Sequence, residues 1–140
     1  MIVLKTAKDM EKIRDACKLS ALALATVGEA VKPGVTTAEL DKIVHKVIVS
    51  HGGKPSFLGY NGFPGSACIS INDEVIHGIP SPSRVVKEGD IVSIDVGAFL
   101  NGFHGDNAYT FAAGEISEEA ALLLRVTEES LYKGIEKAVP

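Results

Sequence analysis

The sequence predicts an α/β domain, and three observations carry that class. Two stretches of helical periodicity each open on a capping signature, two strand-like runs are joined by Asn101-Gly102, and a third helical stretch follows Ser117. A chain of 140 residues with 46% hydrophobic residues buries roughly two-thirds of its unfolded surface, so it can hold a core without metals or disulfides.

Thr6 followed by Asp9 fits an acidic variant of the capping box, and Met10, Ile13, Cys17, Ala21 and Leu24 recur at spacings of three or four. A helix is expected from about Ala7 to Val31, stopped by Pro33-Gly34. Thr36 and Glu39 repeat the capping signature, and Leu40, Ile43, Val44, Val47 and Ile48 mark one face of a second helix ending at His51-Gly52-Gly53. From Lys54 to Gly65, prolines, aromatics and glycines alternate, which is loop chemistry, and an aromatic-rich loop points to function. Ser66 to Ile76 reads as a strand with a turn at Asn72-Asp73, running into His77-Gly78-Ile79-Pro80. Glu88-Gly89-Asp90 turns the chain into a strand from Ile91 to Leu100, Asn101-Gly102 makes a hairpin turn, and Phe103 to Ala112 returns. Ser117 caps a last helix with Glu118 and Glu119 in its first turn, expected to reach about Ala138.

Composition excludes several classes. Fourteen basic against eighteen acidic residues leave a net charge of −4, and without clustered positive charge a nucleic-acid partner is not expected. The longest apolar run, Ala21 to Val27, falls far short of the roughly 20 residues of a spanning helix, so no membrane partner is expected. Cys17 and Cys68 have no ligand or bridge spacing and no signal peptide precedes them, so the reading is cytoplasmic with reduced thiols. Cys17 is read as core.

The hairpin gives the sharpest local inference. With a two-residue turn, Leu100 pairs with Phe103, Asp95 with Ala108 and Asp106 with Gly97. Ser93, Asp95, Gly97, His104, Asp106, Ala108 and Thr110 then share one face, and Val92, Ile94, Val96, Ala98, Phe103, Tyr109 and Phe111 the other. The apolar face is core. Asp95 and Asp106 become diagonal neighbours, with Cα atoms expected about 7–8 Å apart. Two like charges on one strand face need a counterion, and a divalent metal is the simplest. The alternative is a solvated face with two surface aspartates. Small Gly97 and Ala108 opposite each acid leave room for a ligand.

Five strings then carry a resemblance: Leu58-Gly59-Tyr60-Asn61-Gly62-Phe63-Pro64, Cys68-Ile69-Ser70-Ile71-Asn72, Val75-Ile76-His77-Gly78-Ile79-Pro80, Gly89-Asp90-Ile91-Val92-Ser93-Ile94-Asp95-Val96 and Gly102-Phe103-His104-Gly105-Asp106. In this order they closely resemble type I methionine aminopeptidases, from the first helix to Pro140. The resemblance implies a pita-bread α/β fold of two pseudo-symmetric halves, with residues 1–140 forming the N-terminal half of the catalytic domain and the second half absent. It implies two divalent metal ions, of the cobalt, manganese, iron or zinc type, in a site that removes the initiator methionine from nascent proteins. Asp95 and Asp106 fall on two aspartate metal ligands. His77 falls on a histidine that approaches the scissile amide. Phe57, Tyr60, Phe63 and Cys68 fall on positions lining the methionine pocket, although Phe57 and Phe63 replace a Cys and a Tyr expected there in bacterial members. Asn72 falls near a loop that holds a monovalent cation in similar proteins.

The same resemblance implies that one further metal-binding histidine, two metal-binding glutamates and a second substrate histidine belong to the second half. The 140-residue chain alone is then expected to be inactive or weakly active, and its partners are N-terminal Met peptides and either the complementary half or a second copy of the chain. His104 has no ligand role in the family, His45 and His51 are read as surface or capping residues, and Cys68 has no adjacent base that would make it a nucleophile. Two other readings stand beside the first: a half-fold acting as a binding or homodimeric assembly module, and another pita-bread peptidase of the prolidase or aminopeptidase P kind, against which His77-Gly78-Ile79-Pro80 and the short N-terminal region argue.

Overall fold

The computed structural model describes residues 3–139; Pro140, the last position of the resemblance, lies outside them. Two helices, α1 (Ala7–Gly28) and α2 (Thr37–Ser50), precede a sheet of β1 (Lys54–Pro55), β2 (Ala67–Ile71), β3 (Ile91–Leu100) and β4 (Phe103–Ala112), and α3 (Glu118–Glu136) closes the order. Both expected capping boxes are present: Thr6 with Asp9 and Thr36 with Glu39 exchange side-chain and backbone hydrogen bonds.

The sheet is antiparallel throughout and β3 is its spine. β4 pairs with β3 along its whole length, in the register expected from the Asn101-Gly102 turn, with Leu100 opposite Phe103, Asp95 opposite Ala108 and Gly97 opposite Asp106. β2 occupies the other edge opposite Val92 to Val96, and β1 continues that edge opposite Ala98 and Phe99. Gly97 therefore sits where β1 has left the sheet and β2 has not yet entered it. The expected loop from Lys54 to Gly65 is corrected in two places, since it contains β1 and a 3-10 turn at Tyr60–Gly62. The β1 pairing is too short to leave a periodicity, and only the distant β3 defines it.

The strand expected from Ser66 to Ile76 is shorter. It stops at Ile71 because Asn72 turns the chain with φ 56°, as the expected Asn72-Asp73 turn requires. Asn72 is tied down there: its Oδ1 accepts from the Ile91 N–H at 3.0 Å and its Nδ2 donates to Asp90 at 2.8 Å. The first helix also ends earlier than expected, at Gly28, where Ala30 and Val31 donate in i→i−3 fashion to Val27 and Gly28. The last ends at Glu136.

The core lies between α1, α2 and the apolar sheet face, where Leu40, Val44, Ile48, Ile69, Val92, Ile94 and Val96 are fully buried, whereas Tyr109, expected on that core face, is exposed. The buried face of α1 differs from the expected stripe. It consists of Ala16, Leu19, Ser20, Ala23, Leu24 and Val27, while Met10 and Ala21 are exposed and Cys17 is only half-buried. Ala16 is buried because α1 crosses β4 at contact distance. A Cβ on Gly105 would overlap the Ala16 carbonyl, and one on Gly28 would overlap the Phe111 ring.

One polar link crosses this interface. Asn107 Nδ2 donates to Ser20 Oγ at 2.6 Å, and the Ser20 hydroxyl donates to the Cys17 carbonyl at 3.0 Å. Ser20→Ala leaves the Asn107 amide with only the 3.3 Å contact to the Cys17 carbonyl, and should cost about 1–2 kcal/mol in urea unfolding. A change below a few tenths would show that the link contributes nothing.

Candidate functional site

The face of β3 and β4 opposite the core carries the carboxylates. Asp95 and Asp106 project from it as diagonal neighbours, two register positions apart, Asp106 exposed and Asp95 half-buried. The 11-residue excursion from Ser56 to Ser66 leaves the sheet beside Gly97 and brings its aromatics over the same face. Its backbone closes on itself through Gly59 N–H to the Phe63 carbonyl at 2.8 Å and Tyr60 N–H to the Phe57 carbonyl at 3.0 Å. Gly59, at φ 81°, makes that closure possible.

His77 reaches the site by a different route. After the Asn72 turn the chain folds back along β2, where the Gly78 carbonyl accepts from Ile69 N–H at 2.9 Å and the Gly78 N–H donates to Ser70 Oγ at 3.0 Å. The approach is so close that a Cβ on Gly78 would overlap the Ile69 carbonyl. Pinned by that glycine, His77 adopts φ 59°, a left-handed conformation that costs free energy and persists only where its surroundings impose it.

These elements enclose a cavity of about 600 Å³ lined by Phe57, Tyr60, Phe63, Cys68, His77, Asp95 and Asp106. The residues singled out from the sequence for divalent-metal, substrate or catalytic roles thus lie on the walls of a single cavity, whereas Asn72 does not line it. Asn61, Gly62, Pro64 and Ile79 also line it. Sequence reasoning gave them no role, although all four belong to the strings that carried the resemblance. His45 and His51 stand away from it, His45 bonded to Ser66 Oγ and His51 to the Val47 carbonyl near the end of α2, as surface and capping residues.

The electrostatics centre on Asp95. Burial, then the neighbouring Asp106 charge and its hydrogen bond, raise the Asp95 carboxyl to about 6, with His77 acting in the opposite direction. Asp95 Oδ1 is buried without a hydrogen-bond partner. A buried acceptor with no donor beside a second carboxylate is what a cation would satisfy. The oxygen-only pair fits two positions of a divalent ion's ligand set, and among the described residues no group of three or more His, Cys, Asp or Glu converges on a metal. Cys68 is pushed up to about 11 by burial and then by Asp95 and Asp106. Its thiol stays protonated, which suits a small apolar lining residue and not a nucleophile.

The raised Asp95 carboxyl gives stability a pH-dependent contribution. The folded chain holds this proton more tightly than the unfolded chain, so the contribution of Asp95 is full below about pH 4, is lost as pH rises from about 4 to 6, and stays absent above. A tenfold change in proton affinity carries about 1.4 kcal/mol, but the site is open to solvent and screening reduces the effect to the order of 1 kcal/mol. In EDTA, Asp95→Asn should therefore be more stable than the parent at pH 7.5 by about that amount and equal to it near pH 4. Urea unfolding at both pH values measures this, and an Asn variant that is less stable at pH 7.5 contradicts it.

The sequence signature of metallopeptidase family M24 matches residues 11–140. The chain is 56% identical over 139 residues to a methionine aminopeptidase of Clostridium acetobutylicum, covering 99% of this chain and 56% of that one. It is 51% identical over 140 residues to methionine aminopeptidase 1 of Bacillus subtilis, covering 100% and 56%. The structure of methionine aminopeptidase from Thermotoga maritima superposes with a TM-score of 0.96 at 42% identity, over 100% of this chain and 56% of that one. The chain spans about half the length of the curated relatives it matches. The α/β arrangement is that of the pita-bread fold over this half. No helix among the described residues is long and apolar enough to cross a membrane. With its signature, its relatives and its superposition all in agreement, the chain belongs to metallopeptidase family M24.

Proposed function

We propose that this chain is the N-terminal half of a type I methionine aminopeptidase catalytic unit, acting in the cytoplasm to remove the initiator methionine from nascent proteins. The observation that carries the reading is the orphaned Asp95 Oδ1 beside Asp106, on the wall of an aromatic-lined cavity. Asp95 and Asp106 would hold two divalent ions jointly with ligands from the complementary half. When bound, such ions polarise a carbonyl and lower the pKa of water. The chain's own residues do the rest. Phe57, Tyr60, Phe63 and Cys68 offer a soft, apolar wall suited to an unbranched thioether. His77 stands at the cavity rim to donate to the substrate amide or to the developing oxyanion.

Two carboxylates supply only part of a ligand set, so the 140 residues by themselves should release methionine from Met-Ala-Ser slowly or not at all. Adding the complementary half of a methionine aminopeptidase together with Mn²⁺ or Co²⁺ should raise the rate, and EDTA should abolish it. Release unaffected by EDTA would remove the metal from the reading; no release under any of these conditions would remove the activity.

A second reading is a half-fold that assembles with a second copy of itself. One observation favours it: α3 has no buried residue, and Leu122, Leu123, Val126, Leu131 and Ile135 on it are about half exposed or more, which calls for a covering partner. Sedimentation of the chain as a monomer at high concentration, with and without metal, would exclude the self-assembled form.

A further inference from the structure

The loop that carries the aromatic wall leaves the sheet at one point. Ser56 follows β1 and donates its backbone N–H to the Gly97 carbonyl at 2.9 Å, and Phe57 comes next. The Ser56 hydroxyl then reaches across β3 to His104 on β4, lying 2.8 Å from Nδ1. It can do so because Gly97 has no side chain. A Cβ at Gly97 would lie 2.8 Å from the Ser56 Cβ and 2.6 Å from Phe57 Cε1, closer than packed carbons come. His104 is braced in turn by its cross-strand partner Phe99, the ring centroids 4.8 Å apart. The other cross-strand neighbour matters more: Gly97 is opposite Asp106, so the Phe57 ring rests on bare strand backbone beside that carboxylate.

Neither Ser56 nor His104 lines the cavity, whereas Phe57 does. We propose that Ser56 and His104 are positioning residues, clamping the loop across Gly97 so that Phe57 is held as the wall of the substrate pocket beside Asp106. The clamp acts on side-chain recognition and not on the chemistry. This rests on reading the cavity as the site for an N-terminal methionine, but the clamp itself can be tested without that reading.

The first measurement needs no turnover. With 4-fluorophenylalanine incorporated at the five phenylalanines, the Phe57 resonance is identified by its loss in Phe57→Leu. In the parent it should be a single line displaced from that of an exposed ring. Ser56→Ala and His104→Ala should each move it toward the exposed position, with the circular dichroism unchanged. His104→Asn, whose amide nitrogen can take the place of Nδ1, should restore it. Gly97→Ala should displace it by a different route, by driving a methyl into the ring. A Phe57 line unmoved in both Ser56→Ala and His104→Ala overturns the clamp.

The second measurement uses the metal-loaded protein together with its complementary half. Losing one hydrogen bond at the wall should raise the KM for Met-Ala-Ser about 2- to 10-fold in Ser56→Ala with kcat close to the parent's. A loss of kcat at unchanged KM would overturn the assignment to recognition. If the parent assembly releases no methionine, the methionine reading fails, and the fluorine spectra still decide the clamp.

Discussion

Asp95→Asn and Asp106→Asn should each weaken binding of Mn²⁺ to this chain by at least about 10- to 100-fold, the loss typical even of groups that only support a ligand. Each substitution removes one of two anionic oxygen donors while keeping the shape of the side chain. The parent affinity should itself be modest, micromolar or weaker, because a pair of carboxylates leaves most positions of the ion's coordination sphere to water. Two features make the pair more than a solvated strand face. Asp95 Oδ1 is buried without a partner, and burial together with the Asp106 charge raises the Asp95 carboxyl, a cost that a cation turns into binding free energy. The two variants need not behave alike. Asp106 is exposed and Asp95 half-buried, so Asp95→Asn also relieves the folded chain of a desolvated charge and should gain stability as it loses metal. Titration calorimetry with Mn²⁺ on the parent and both variants measures the effect. Binding unchanged in both would return Asp95 and Asp106 to the status of surface charge.

The hairpin that sets this pair was legible because its information is local. Asn101-Gly102 allows one turn, with φ of 54° and 90°, and the turn fixes the register of all ten paired positions from Ile91 to Ala112. The two capping boxes were legible for the same reason. The α1 face was not. Apolar periodicity pointed to Met10, Cys17 and Ala21, but the helix is seated by what β4 lacks, the side chain of Gly105, and a glycine 89 positions away along the chain from Ala16 leaves no mark on the helix's own pattern. The same limit hid the Ser56–His104 bond, whose partners are 48 residues apart. Asp95 and Asp106 were singled out from the hairpin itself, and Phe57, Tyr60, Phe63, Cys68 and His77 from the family resemblance; that they share one cavity follows from the sheet, which brings the Ser56 to Ser66 loop, the His77 turn and the hairpin to one face.

His77→Ala should lower kcat for methionine release by roughly 10²- to 10⁴-fold, the usual worth of a positioned histidine that donates to or relays a proton at the reacting amide. The local structure argues for such a role. His77 holds a left-handed φ of 59°, and it is held there by Gly78, whose backbone is bonded to β2 on both its N–H and its carbonyl. The imidazole lines the cavity with Asp95 and Asp106 yet is not gathered with them into a set of three metal-binding groups. Its side chain therefore shares the cavity wall with the two carboxylates, and the role expected of it is toward substrate. Metal affinity should accordingly change little in His77→Ala, because the carboxylates remain. The assay pairs steady-state release from Met-Ala-Ser, measured on the metal-loaded chain with its complementary half, with calorimetric titration of Mn²⁺. A variant that lost metal binding but turned over normally at saturating metal would make His77 a ligand. A variant with normal turnover and normal binding would leave the strained backbone at His77 without a function in this reaction.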